Sequence, residues 1–125
     1  MKIIITCAVL LMFIVFGCYY DSKEYLYPIL SSSCDTTNVT FSGSVKPALQ
    51  SYCVSCHSNS NAASFGSNIK LEDYADVKTQ ATNGKLIGSL MHQSGYSAMP
   101  KGGGSLDACK LTTIKIWINA GSINN

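Results

Sequence analysis

The 125-residue sequence predicts a small all-α domain. Three observations carry that expectation. Apolar residues in the longer segments after residue 40 recur at spacings of three and four, the period of one helix face. Strict period-two alternation is scarce, and the longest β-branched run, "TTNVTF" at 36–41, is short and stands alone. Stretches rich in Ser, Asn and Gly separate the periodic segments, and no internal repeat is visible.

The N-terminal "MKIIITCAVLLMFIVFG" places Lys2 before an apolar run from Ile3 to Phe16. About 20 apolar residues are needed to cross a bilayer, so a shorter run behind one positive charge reads as the core of a signal peptide, residues 1–17. Small Gly17 then precedes Cys18, and "VFGC" resembles the lipobox of a bacterial lipoprotein, in which Cys18 becomes the lipid-bearing mature N-terminus. The alternative is an ordinary signal peptide followed by an incidental cysteine. Residues 19–33, "YYDSKEYLYPILSSS", mix four tyrosines with polar residues and end in serines. With Cys18 they form an expected tether, 18–33, holding a domain of residues 34–125 away from a membrane surface. A domain of that size often relies on a staple or a cofactor to supplement its core.

Charge excludes one class of function. The sequence has no arginine and no run of lysines, so the basic footprint that phosphate backbones demand is missing and no nucleic-acid partner is expected. Loss of the leader removes Lys2 and no acid, leaving eight lysines against seven acidic residues, a net charge of +1.

Within the domain, "SGSVKPALQSYCVSCH" spaces Val45, Leu49 and Tyr52 by four and three. Ser42 or Ser44 is the candidate N-cap and Pro47 is tolerated near the first turn, so a short helix runs into the cysteine pair. Residues 58–68, "SNSNAASFGSN", read as a loop. "LEDYADVKTQATNG" carries Tyr74, Val77 and Ala81 on one face, with the carboxylates Glu72, Asp73 and Asp76 as a helix N-terminal turn and Asn83-Gly84 as its stop. "KLIGSLMH" follows as a shorter helix in which Leu86, Leu90 and Met91 read as core. The last segment has Asp107 as N-cap, then Leu111, Ile114, Trp117 and Ile118 on one stripe, and Gly121 at the stop. That stripe is expected to bury against the first helix and a cofactor edge.

The chemistry concentrates in "SYCVSCHSNS", residues 51–60, where Cys53 and Cys56 lie three apart and His57 follows at once. Three readings compete: a redox dithiol, a zinc knuckle and a covalent haem attachment site. A thioredoxin-type dithiol belongs between a strand and a helix, and no strand–helix alternation is visible. Structural zinc needs four ligands, and only His92 and the separated Cys34 and Cys109 remain to complete a set. Haem needs less: two cysteines make thioethers and the adjacent histidine reaches the iron as proximal ligand.

A sixth ligand is available in "SGYSAMPKGGG", residues 94–104. The Met99 thioether is soft enough for haem iron, and Pro100 with glycines 102, 103 and 104 permits an irregular strap over a flat macrocycle. Met99 sits in a polar loop, unlike the core-filling methionines of helix faces. His92 is the rival ligand. Of the six cysteines, Cys7 leaves with the leader, Cys18 takes the lipid and Cys53 and Cys56 form the motif. Cys34 and Cys109 then remain for a disulfide or as two free thiols, and export favours the disulfide.

The order of features, a helix, Cys53-x-x-Cys56-His57, further helices, Met99-Pro100 and a terminal helix with an aromatic, resembles class I cytochrome c over residues 41–121. The segments "VTFSGSVKPALQSYCVSCHS" and "AMPKGGGSLDACKLTTIKIWINAG" look like the small haem domains of membrane-anchored c-type cytochromes from Bacteroidetes-like bacteria. The resemblance implies a small cytochrome c-like helical fold around one covalent haem c, held by Cys53 and Cys56. His57 and Met99 would be the axial ligands and Trp117 part of the packing between terminal helices. The implied function is a monomeric electron carrier, not an enzyme, anchored to a membrane through its lipid on the periplasmic or cell-surface face and serving redox partner proteins. The alternative is a haem-based peroxidase or gas-binding protein with an open or His-ligated sixth position. Cys34 and Cys109 are not part of the general cytochrome c pattern, so their pairing rests on cysteine arithmetic alone.

Overall fold

A computed structural model describes residues 34–102 and 104–125; the expected signal peptide 1–17, Cys18, the tether 18–33 and Gly103 lie outside the described residues. Among the described residues all regular structure is helical, with no strand. The first helix starts a turn earlier than Ser42 or Ser44 would have it. Thr40 has extended backbone (φ −120°, ψ 159°), and its Oγ1 accepts a hydrogen bond from Gly43 N at 3.0 Å. Ser44 Oγ accepts in return from Thr40 N at 3.4 Å, so Ser44 serves the cap from inside the helix. This turn, Phe41–Val45, is π-helical and runs directly into α1, Lys46–Tyr52. Two orphan donors of the turn are met by the far end of the chain: Phe41 N donates to Asn125 Oδ1 at 2.8 Å and Ser42 N to Asn125 O at 2.9 Å.

Cys53 leaves helical geometry (φ −123°, ψ −41°), which separates α1 from the single turn α2, Val54–His57. The stretch expected to be a loop contains a further turn, α3, Ala62–Phe65. Four residues are too few for a hydrophobic period to register in sequence. Then come α4, Tyr74–Thr82, and α5, Lys85–Leu90, joined at Gly84, whose φ of +76° is cheap for glycine alone. α6, Ala108–Asn119, begins at Asp107, which accepts from Lys110 N at 2.9 Å and pairs with the Lys110 ammonium. Those bonds to Lys110 hold the Asp107 carboxyl below its ordinary range.

The core gathers one face of each longer helix. Val45, Leu49, Val77, Ile114 and Trp117 are all fully buried. The Trp117 ring lies 5.5 Å from Phe41, and Phe41 meets Tyr74 edge-on at 5.1 Å, so the first and last helices join through an aromatic stack. The polar tips of both larger rings are met by the C-terminal segment: Trp117 Nε1 donates to Ile123 O and Tyr74 OH to Ser122 O, each at 2.8 Å. Met91 departs from its expected core role and is 40% exposed. Leu86 and Leu90 are four apart and share a buried face, whereas Met91 is turned about 100° from Leu90. Cys34 is joined to Cys109 in a disulfide with Cα atoms 5.4 Å apart across 75 residues of sequence. It ties the start of the unit Cys34–Asn125 to the first turn of α6.

Candidate functional site

Beside α2 lies a cleft with about 280 Å³ of free volume, just below the roughly 300–1,000 Å³ usual for ligand and cofactor sites. Its walls bring together Cys53, Cys56 and His57 with Met99, which the chain separates widely. The floor is apolar, with Leu71, Leu86 and Leu90 all buried. The rim is open: Cys56 and Phe65 are exposed, as are Lys85 and Lys101. Those two lysines are the charged side chains among the described lining residues, where no carboxylate appears.

The two thiols differ. Cys53 is buried, and desolvation pushes its pKa up to about 11, whereas Cys56 is exposed. A disulfide-exchange centre works through a thiolate of lowered pKa, so a first cysteine held protonated by burial speaks against that reading. The zinc reading fares no better on donors. Cys34 and Cys109 are bonded to each other, and His92 Nε2 lies 3.0 Å from Met99 O. Among the described residues, no three His, Cys, Asp or Glu side chains converge as metal ligands.

His57 is oriented from three sides. Its Nδ1 lies 2.8 Å from Ile69 O, and a carbonyl only accepts, so Nδ1 carries the proton. That leaves the Nε2 lone pair, which has no hydrogen-bond partner among the described residues, as the donor toward the cleft. The His57 carbonyl accepts from Leu71 N at 2.8 Å, so Ile69 and Leu71 bracket the residue. Gly66 closes the third side. A methyl group there would fall 2.8 Å from His57 Nδ1 and 2.7 Å from Cys56 O. Gly66→Ala should therefore displace the imidazole or the motif backbone and cost about 1–3 kcal/mol, seen as a lower thermal midpoint. An unchanged midpoint would mean that the loop gives way freely.

Glu72 and Asp73, expected in the first turn of a helix, precede α4 and do different work. Glu72 Oε2 accepts from Asn59 N at 2.7 Å and Asp73 Oδ2 from Asn59 Nδ2 at 2.8 Å. They hold the chain that leaves His57. Gly66, Ile69, Lys85 and Lys101 also line the cleft, without a signal in the sequence. A backbone acceptor has no residue-type signature, and the lysines look like solvated helix and loop charges until the fold turns them to one rim. Met99 is partly buried in the cleft wall; His92 does not line it.

Against known protein families, curated proteins and solved structures, the chain shows no significant match.

Proposed function

We propose that this chain is a mono-haem c-type cytochrome with a cytochrome c-like helical fold, working as a membrane-anchored electron carrier. The observation that carries the reading is the convergence of Cys53, Cys56, His57 and Met99 on one cleft, with His57 Nε2 as its free nitrogen. Haem iron, when bound, accepts and returns one electron. Cys53 and Cys56 would hold the group through two thioethers, each formed by addition of S–H across a vinyl group, sulfur to one carbon and hydrogen to the other, with no leaving group and no oxidant. His57 Nε2 and the Met99 sulfur would ligate the iron, and Lys85 and Lys101 would be the cations available to the haem carboxylates. Leu71, Leu86 and Leu90 keep water from the cleft floor, while exposed Cys56 and Phe65 mark an open edge where an electron can leave. With His57 and Met99 both ligating the iron, no position would remain there for a substrate, which supports a carrier over an enzyme.

A pyridine haemochrome spectrum of the purified protein tests this: the c-type spectrum is expected, and its absence would remove every haem reading. We also propose lipid attachment at Cys18, which would place this monomer on a membrane, facing its redox partners from the periplasmic or cell-surface side. Cys18→Ser should move the protein to the soluble fraction with its spectrum unaltered; retention in membranes would point to another anchor.

A further inference from the structure

The segment that returns from α5 to Met99 is closed on itself. Ser89 O accepts from both His92 N, at 3.2 Å, and Met99 N, at 3.1 Å, so the loop leaves and rejoins α5 at one carbonyl. Gln93 N donates to Gly88 O at 2.9 Å, and the Tyr96 ring lies on Gly88, where an added methyl would come within 2.6 Å of it. Across the base of this loop, His92 Nε2 lies 3.0 Å from Met99 O. The carbonyl only accepts, so Nε2 carries the proton and donates. Both backbone polar groups of Met99 are thus engaged, its N–H by Ser89 and its carbonyl by His92. His92 adopts the left-handed backbone, φ +51°, which is uncommon for residues other than glycine. In that conformation the exposed side chain lies on the Met99 carbonyl.

We infer that His92 is a positioning residue for Met99, clamping the strap so that the thioether is presented to the cleft. The inference rests on the proposed axial role of Met99. It turns the one plausible rival ligand into its support, because the imidazole nitrogen facing the strap is already a donor to a carbonyl. Removing the clamp frees the peptide that follows Met99 and lets the strap leave the cleft wall for part of the time.

The test uses the haem-loaded protein with His92→Gly, which suits a positive φ and has no donor, and His92→Gln, which restores an N–H of similar reach. His92→Gly should weaken the far-red sulfur-to-iron band and raise the rate of carbon monoxide binding to the reduced protein at least about tenfold. His92→Gln should recover most of both, with the far-UV circular dichroism of both variants unchanged. A band and a carbon monoxide rate unchanged in His92→Gly would overturn the clamp. So would failure of His92→Gln to restore them in a folded protein. Failure of the underlying reading looks different: the unmutated protein would itself lack the band, and Met99→Ala would change nothing.

Discussion

Replacing Cys53 and Cys56 together with alanine should release all of the proposed haem. After acid and organic extraction of the double variant, colour is expected in the solvent, while the unmutated chain keeps its colour on the polypeptide. Thioethers survive acid and solvent that break metal–ligand bonds, so extraction separates covalent from merely ligated haem. Each single variant should keep colour through the remaining thioether. The variant pair should stay folded enough to assay because the Cys34–Cys109 closure is independent of the motif. Chain-entropy estimates for a loop of 75 residues give about 4 kcal/mol, a figure that the proposed covalent haem would reduce by constraining the unfolded chain. Colour leaving the unmutated protein would end the assignment.

With the proposed haem bound, Met99→Ala is expected to change the iron more than the fold. The far-red sulfur-to-iron band should disappear, the potential should fall, and the reduced protein should bind carbon monoxide where the unmutated one resists it. Thioether ligation favours the reduced state and covers one face of the iron, which is why one substitution moves all three readouts together. Met91→Leu is the control. Met91 is exposed beyond the end of α5, so this swap of similar volume should cost well under about 1.5 kcal/mol and leave the spectrum alone. If the unmutated protein binds carbon monoxide readily, the reading shifts toward an open sixth position and gas-binding or peroxidase chemistry.

Much of the architecture was legible in local pattern. The stripe Leu111, Ile114, Trp117 and Ile118 predicts α6 because a helix repeats its face every 3.6 residues, and Asp107 marks its start because a carboxylate can accept an orphan amide. Glycine at 84 and 121 marks two ends for a similar reason, since both residues take positive φ. Errors occurred where a decision was longer in range or shorter in length than a pattern. α3 has four residues and shows no period. The cap of the first helix fell to Thr40 because Ser44 could serve it from within, and because Asn125 supplied acceptors from 84 residues away.

Local sequence specified the all-helical class and the order of the longer helices; it also set the chemical content of the motif, two thiols and an imidazole within five residues. These are properties of neighbours along the chain, and the helical period makes neighbours readable. Folding alone brings Met99 to the same cleft as His57, sets Ile69 O to accept from Nδ1, packs Gly66 so that a Cβ there would meet His57 and Cys56, and lays His92 on the Met99 carbonyl from outside the cleft. Each of those depends on a backbone carbonyl or on an empty volume brought close by folding. Carbonyls are common to every residue and empty volume belongs to none, so no residue type announces them.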